Sequence, residues 1–144
     1  MKKIGITFST FDLIHPGHIL MLQDCKTVCD YLIVGVQSDP TIDRKNTSDE
    51  YSKISGKSKN SPIQTLKERL IMVKSIKFVD EVFVYDTEKD LLRWLNENSW
   101  DIRILGSDWE GKKFTGHNIK GEIYFHKRDH EWSSTAFRER LKNS

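Results

Sequence analysis

Two histidines and a glycine occupy one predicted strand-to-helix junction, within residues 8–18 near the start of the chain. In an α/β protein such a junction lies at the carboxyl end of a strand, where ligands bind. A helix that begins there directs free N–H groups and the positive end of its dipole at the ligand, which favours a phosphate. His15 and His18 can donate to phosphate oxygens from the same turn, and Gly17 lets a ligand approach the backbone closely. The alternative is a pair of histidines that cap a helix and bind nothing.

Two further stretches with polar side chains follow predicted strands. In residues 106–112, Asp108 can accept a hydrogen bond from an amine or a ribose hydroxyl, and the indole of Trp109 offers a stacking face. An Asx-type turn with a partly buried tryptophan is the alternative. Residues 128–135 place Arg128 before two serines that open the last predicted helix. Its alternative is an ordinary serine cap beside a surface arginine.

Apolar runs and helical spacing predict the elements that position these stretches. Strands are expected in residues 3–8, 31–36, 78–85, 101–105 and 122–125. Helices are expected over about 16–29, from the capping pattern Ser61-Pro62-Ile63-Gln64 onward, after a cap at Thr87, and up to about Leu141. The near-continuous apolar run 31–36 is typical of a parallel strand buried on both faces.

The order of these elements predicts the fold class. Strands that alternate with helices indicate a three-layer α/β/α, Rossmann-like domain with a mostly parallel five-stranded sheet. With 144 residues, the chain is long enough for one domain and too short for two, so a single domain over residues 1–144 is expected. Because all three stretches follow strands, they are expected to converge on one edge of the sheet.

Charge and hydropathy exclude several function classes. A net charge of +2 is too small to indicate a nucleic-acid partner or a membrane surface. The apolar run after Met1 is too short for a signal peptide, and no segment approaches the length of a membrane span. Cys25 and Cys29 are expected to be buried thiols of a cytoplasmic protein, and neither a disulfide nor a metal site.

Residues 38–60 are polar, carry several lysines and lie between two predicted elements. So long a loop inside a small domain is usually functional or disordered. One interpretation is a lid whose lysines close on phosphates. The other is a solvated linker.

The three stretches together resemble a known family. His15-Pro16-Gly17-His18 resembles the His-x-Gly-His signature of the nucleotidylyltransferase superfamily. Thr10-Phe11-Asp12 narrows the resemblance to the cytidylyltransferase branch, especially the bacterial glycerol-3-phosphate cytidylyltransferases. Residues 106–112 resemble the Gly-x-Asp-Trp segment of that branch, and residues 128–135 resemble its Arg-x-x-x-x-Ser-Ser/Thr-Thr segment. The resemblance covers essentially the whole chain.

The resemblance implies transfer of CMP from CTP to a phosphorylated alcohol, with glycerol 3-phosphate favoured, and release of pyrophosphate. It also implies Mg²⁺ bound with CTP, and a homodimer. No protein residue is assigned as a metal ligand. The implied catalytic residues are His15, His18, Lys59 and Arg128. The implied nucleotide-binding residues are Ser9, Thr10, Phe11, His15, His18, Asp108, Trp109, Arg128, Ser133, Ser134 and Thr135. The implied acceptor- or phosphate-binding residues are Lys57, Lys59 and Arg69. For Arg69 the alternative is an arginine that forms a salt bridge on the surface.

The chain departs from the family pattern at two places, and other functions stay open. Ser9 stands where relatives usually have glycine, and Asp129-His130-Glu131-Trp132 replaces a Thr-Glu-Gly-Ile-like run. The alternatives are an adenylyltransferase of the same superfamily, a cytidylyltransferase for another phospho-sugar or phospho-polyol, and a nucleotide-binding module without turnover.

Overall fold

A computed structural model of the protein describes residues 2–44 and 61–144, and its centre is a five-stranded sheet. The strand order is β3-β2-β1-β4-β5, and every neighbouring pair is parallel. The prediction of a mostly parallel sheet is therefore confirmed. The strands are β1 (Ile4–Ser9), β2 (Tyr31–Gln37), β3 (Glu81–Tyr85), β4 (Ile102–Gly106) and β5 (Glu122–His126).

Helices cover both faces of this sheet, as expected when each crossover between parallel strands contains a helix. The helices are α1 (Pro16–Val28), α2 (Thr41–Arg44), α3 (Leu66–Lys74), α4 (Glu88–Glu97) and α5 (Ser134–Lys142), with a 3₁₀ turn at Ser107–Trp109. Leu32 and Ile104 face a core that contains Leu22 and Cys25 of α1. Ile6 and Ile33 face a second core that contains Leu91 and Leu95 of α4. The three-layer prediction is confirmed.

Helix α3 begins later than the sequence pattern predicts. The expected start, with proline at the first helical position after Ser61, is wrong, because Thr65 caps the helix and forms a reciprocal capping box with Glu68. The backbone N–H groups of Ile63 and Gln64 instead donate to the carboxylate of Asp12, at 2.9 and 3.0 Å. A long-range contact therefore holds these residues outside the helix.

The other predicted elements agree with the structure to within a few residues. Thr87 caps α4 as expected, with Asp90 as its reciprocal partner. The four-residue helix α2 lies in the stretch 38–60, which the sequence predicts to be an irregular loop. The remainder of that loop, residues 45–60, lies outside the described residues.

Cys25 and Cys29 are free and buried, as predicted, and burial raises the pKa of both thiols. Among the described helices, none has the length and apolar character that a membrane crossing requires.

The strand order determines where the three polar stretches meet. They follow β1, β4 and β5, and these three strands are neighbours in the sheet. Because the strands are parallel, their carboxyl ends lie at the same edge. The predicted convergence of the stretches is confirmed.

Candidate active site

A cavity of about 300 Å³ opens at this edge of the sheet. Eight predicted site residues line it: Ser9, His15, His18, Asp108, Trp109, Arg128, Ser133 and Ser134. Residues that were not among the predicted site residues also line it, among them Thr7, Met21, Arg103, His130 and Trp132. The structure thus brings together most of the predicted nucleotide-binding set.

The two histidines form a reciprocal cap at the start of α1. His15 is the N-cap residue, and its Nδ1 accepts a hydrogen bond from the backbone N–H of Gly17 at 3.1 Å. His18 Nδ1 accepts from the backbone N–H of His15 at 3.2 Å. An imidazole nitrogen that accepts carries no proton, so in each ring the proton resides on Nε2. Both rings therefore cap the helix and still have one donor for a ligand.

Burial keeps these two imidazoles uncharged. The pKa of His18 falls from 6.5 to about 3, mainly because of burial and secondarily because of His15. Burial, followed by the positive charge of Arg128, also lowers the pKa of His15. The ring centroids are 3.9 Å apart, a separation at which two imidazolium cations would repel strongly. At neutral pH the site thus presents two neutral Nε2–H donors beside the N-terminus of a helix.

The space above Gly17 is filled by imidazole rings. A Cβ placed on Gly17 would lie 2.6 Å from Cε1 of His130 and 2.8 Å from Cε1 of His15. The absence of a side chain at Gly17 therefore lets these two rings pack against the backbone. The sequence predicts that this glycine admits a ligand, whereas the structure places His130 at that position.

Asp12 joins the first stretch to two later elements. Asp12 is 5 % exposed, and its carboxylate forms an ion pair with Arg138 of α5 at 2.7 Å, in addition to its bonds with the segment before α3. The backbone carbonyl of Asp12 accepts from Ser134 Oγ at 2.6 Å. Asp12 thus fixes the start of α5 against the loop that carries His15.

The third stretch holds Arg128 at the rim of the cavity. Arg128 is exposed, donates through Nη2 to the carbonyl of Trp132 at 2.8 Å, and lies 3.6 Å from the carboxylate of Asp108. Ser133 caps α5 by accepting from the backbone N–H of Ala136 at 2.9 Å. Ser133 therefore caps the helix, as the alternative interpretation has it, and Arg128 and Ser133 also line the cavity.

Three predicted nucleotide-binding residues do not line this cavity. Phe11 is 1 % exposed and packs in the core, where its ring lies 5.5 Å from that of His18. Thr10 lines a separate cavity described below, and Thr135 is exposed on α5 and lines neither cavity. The buried Phe11 ring packs near His18, and its predicted contact with the nucleotide stays a prediction.

Arg69 is a buried structural residue in α3. It is 2 % exposed, so the surface salt-bridge interpretation is wrong. Its guanidinium donates to four backbone carbonyls, those of Gln64, Thr10, Gln37 and Ser38. These bonds tie α3 to the ends of β1 and β2. The predicted phosphate contact of Arg69 stays a prediction, and Lys57 and Lys59 lie outside the described residues.

A second cavity of about 270 Å³ adjoins the first. The two share Ser9, Arg103 and Trp109 as part of their common wall. Sequence reasoning missed Arg103. The available signal was a charged residue at a position flanked by apolar residues in the predicted strand 101–105.

A magnesium ion carried by a triphosphate is compatible with these side chains. Within residues 2–44 and 61–144, no three His, Cys, Asp or Glu side chains are grouped so that they could hold a metal ion. Asp108 is the carboxylate among the residues that line the first cavity. Mg²⁺ is commonly held by substrate phosphates and water with few protein carboxylates, so this donor set fits an ion that arrives with its substrate.

Known proteins resemble this chain over most of its length. It is 29% identical to glycerol-3-phosphate cytidylyltransferase of Bacillus subtilis (strain 168), with 98% of each chain covered. It is 31% identical to the bifunctional protein HldE of a Nitratiruptor species over 99% of this chain, which is only 28% of HldE. The chain thus spans about a quarter of the length of these HldE relatives.

The fold is also found in a solved structure. The crystal structure of the lipopolysaccharide core biosynthesis protein from Thermoplasma volcanium GSS1 superposes with a TM-score of 0.66 and 26% identity, covering 90% of this chain and all of that one. The family described as Cytidylyltransferase-like matches residues 6–140. That range contains all three polar stretches and reaches into all five strands, and it confirms the predicted family. The chain belongs to the cytidylyltransferase-like family.

Proposed function

We propose that this protein is a cytidylyltransferase that transfers CMP from CTP to a phosphorylated alcohol. The observation that supports this most directly is the pair of neutral Nε2–H donors of His15 and His18 at the N-terminus of α1, facing a cavity. Fixed donors beside a helix N-terminus stabilise a phosphate whose charge increases during reaction.

In the proposed reaction, an oxygen of the acceptor phosphate attacks the α-phosphorus of CTP. The new P–O bond forms as the bond between the α-phosphorus and the bridging oxygen of the β-phosphate breaks. Pyrophosphate leaves with that oxygen and the electron pair, and the product is a CDP-linked alcohol. The acceptor phosphate is already ionised at neutral pH, so no protein base is needed.

The site residues act mainly by position and charge. Both histidines donate to the α-phosphate and the bridging oxygen. Ser133 and Ser134 lie at the start of α5, where backbone N–H groups can receive the terminal phosphates. Arg128 neutralises them from the rim, together with Lys57 and Lys59 from the sequence-predicted lid. Mg²⁺ bound with CTP would neutralise part of the phosphate charge.

The nucleoside is assigned to the region of Asp108 and Trp109, which follow β4 and line the cavity. CTP is preferred over ATP because of the resemblance at Thr10-Phe11-Asp12 and at Asp108-Trp109, and because of the family. Glycerol 3-phosphate is the leading acceptor, since a full-length relative bears that name. The same resemblance is the basis for proposing a cytoplasmic homodimer.

The test is pyrophosphate release from each of the four nucleoside triphosphates, with Mg²⁺ and a series of phosphomonoesters. We expect release with CTP that depends on the acceptor. Release with ATP in place of CTP would identify an adenylyltransferase. Binding of CTP without release under any combination would identify a nucleotide-binding module and contradict the proposal.

A further inference from the structure

A third imidazole lies at the first cavity, in the loop before α5. His130 lines this cavity together with His15 and His18. Its Cε1 and that of His15 both pack against Gly17, within 2.6 and 2.8 Å of the point where a Cβ would be. The pKa of His15 is lowered first by burial, next by Arg128 and then by His130. The proposed chemistry, which uses His15 and His18, leaves this third ring without a role.

Hydrogen bonding fixes the tautomer of His130 as it does in the other two rings. Its Nδ1 accepts from the backbone N–H of Trp132 at 3.1 Å. A ring nitrogen that accepts carries no proton, so the proton of the neutral ring resides on Nε2. All three imidazoles at the cavity therefore use Nδ1 to accept from a backbone N–H and have Nε2–H left as a donor.

The backbone of Trp132 positions two polar side chains of this loop. Its N–H donates to His130, and its carbonyl accepts from Nη2 of Arg128 at 2.8 Å. The indole of Trp132 also lies 5.2 Å from the imidazole of His130, measured between ring centres. The next residue, Ser133, caps α5. One short loop thus brings a cation, a neutral donor and the start of a helix to the same cavity.

The chemistry of these groups favours an anion over a metal ion. In the described ranges 2–44 and 61–144, no group of three His, Cys, Asp or Glu side chains could hold a metal ion. An Nε2 that carries a proton offers no lone pair to a cation, whereas it can donate to an oxygen. Donors that converge near a helix start are suited to phosphate oxygens.

We propose that His130 donates its Nε2–H to the pyrophosphate that leaves during the reaction. This inference rests on the proposed function, which assigns the first two imidazoles to the α-phosphate and the start of α5 to the terminal phosphates. His130 lies between these two groups, since its ring packs against Gly17 and its loop continues into Ser133. The breaking P–O bond leaves its electron pair on the bridging oxygen. The Nε2–H stabilises the added charge of the leaving group and keeps its proton.

This donor departs from the family pattern. His130 is the second residue of Asp129-His130-Glu131-Trp132, which stands where the family has a Thr-Glu-Gly-Ile-like run. An ionised carboxylate only accepts hydrogen bonds, whereas this imidazole donates one. The chain therefore presents a neutral donor to the phosphates at a position where the family pattern has an acid.

Two substitutions separate the donor from the loop contact. In His130→Gln, the amide nitrogen can lie near the position of Nε2 and donate, whereas the acceptor for the N–H of Trp132 is lost. In His130→Asn, the amide oxygen can still accept from Trp132, but no donor reaches the position of Nε2. We expect kcat to fall about 10- to 100-fold in His130→Asn, as for the loss of a hydrogen bond to a charged group, and less in His130→Gln. KM for CTP should change less than about threefold, because the added charge develops in the transition state.

The measurement is steady-state pyrophosphate release with CTP, Mg²⁺ and glycerol 3-phosphate. The matched control is His117→Asn, the same substitution at an exposed position outside both cavities, which should leave kcat unchanged. A greater loss in His130→Gln than in His130→Asn would show that His130 only holds the loop, and would overturn the inference. Normal kcat in both variants would also overturn it.

Binding of inorganic pyrophosphate separates this inference from the proposed reaction. With Mg²⁺ present, we expect calorimetry to give a Kd for pyrophosphate about tenfold higher in His130→Asn than in the wild type, and a Kd for CMP that changes less than about threefold. In the wild type, the NMR signals of the His130 ring should shift more with pyrophosphate than with CMP. These results without turnover would support the role of His130 and contradict the reaction. Turnover with His130 signals that do not respond to pyrophosphate would support the reaction and overturn the inference.

Discussion

His15 and His18 each use Nδ1 for the fold and leave Nε2 for a ligand. In both rings the backbone N–H that donates to Nδ1 fixes the tautomer. The Phe11 ring lies 5.5 Å from that of His18, and the backbone of Phe11 is in the left-handed region, with φ of 55°. A non-glycine residue there is strained by about 1–3 kcal/mol, and such strain is found most often at functional sites.

Removal of His18 tests the chemical part of this arrangement. We expect His18→Ala to fold, to bind CTP within several-fold of wild type, and to lose about 10²–10³ in kcat, because fixed donors to a developing charge act in the transition state. The measurement is steady-state pyrophosphate release together with calorimetric CTP binding. His117→Ala, at an exposed position outside both cavities, is the matched control.

The variant His18→Asn tests separately the two roles of His18, which caps the helix through Nδ1 and offers a donor at Nε2. The asparagine side chain can still accept from the backbone N–H of His15, whereas it places no donor where Nε2 lies. We expect a stability near that of wild type and the same loss in kcat. Near-normal turnover in either variant would show that His18 is only a helix cap.

At the scale of elements, Asp12 holds together parts that are distant in sequence. It binds the segment before α3 and the side chain of Arg138 in α5. The sequence pattern alone could not place the start of α3, since residues 61–64 and 65–68 each read as a capping box. The start of the helix is decided by Asp12, whose carboxylate accepts hydrogen bonds from the N–H groups of residues 63 and 64 and so holds these residues outside the helix. Local patterns do not contain such a contact.

Replacing Asp12 should therefore loosen two helices at once. We expect Asp12→Ala to lower the free energy of unfolding by about 3 kcal/mol, because it leaves Arg138 and two backbone donors without their partner. Urea denaturation measures this. Glu139→Ala, which removes an exposed i,i+3 pair with Lys142 on the same helix, should change stability by less than about 0.5 kcal/mol. Equal effects of the two variants would contradict the role of Asp12.

The predicted lid has its own test. We expect the double substitution of Lys57 and Lys59 by Ala to raise KM for CTP or the acceptor, since two positive charges near the phosphates are lost. Stability should change by less than about 0.5 kcal/mol if the two lysines act on the substrates and not in the core. The readouts are steady-state kinetics and urea denaturation of the same preparation. Normal turnover of the double variant would exclude the lid role.

At the scale of the whole molecule, the convergence of the three polar stretches was predictable because the topology is regular. The alternation of strands and helices predicts a parallel sheet. Because the three polar stretches each follow a strand, they are predicted to lie at the same edge of that sheet. The adjacency of β1, β4 and β5 was not predictable from local pattern, and it decides which stretches share a cavity. Arg103 was missed for a related reason, since its exposure depends on what packs above β4. Only the assembled sheet shows that this cation is buried beside Phe8 and Phe114.

The buried histidines should also make the stability of the whole molecule depend on pH. The pKa of His18 is 6.5 in the reference state and about 3 in the fold, so below pH 6.5 the unfolded chain binds a proton that the folded chain does not. The free energy of unfolding therefore decreases as the pH falls through this window. We expect the free energy of unfolding, measured by urea denaturation, to decrease more between about pH 7 and about pH 5 in the wild type than in His18→Asn. This pH range lies above most carboxyl titrations.

A similar decrease in the wild type and in His18→Asn would show that another group governs this range. His15, whose pKa is also lowered by burial, is the next residue to replace. His15→Asn keeps an acceptor for the backbone N–H of Gly17, so the helix cap is retained in that comparison.

The contact between Asp12 and α5 joins the first part of the chain to be synthesised to one of the last. Asp12 leaves the ribosome long before its partners Arg138 and Ser134. The strands β1, β2 and β3 can pair while the chain is still being made, since each follows its partner directly in the sheet. The wall that carries Ser133 and Ser134 is added only when α5 emerges. A nascent chain without α5 therefore has an incomplete site, and the proposed capacity to bind CTP arises only after the sheet has formed.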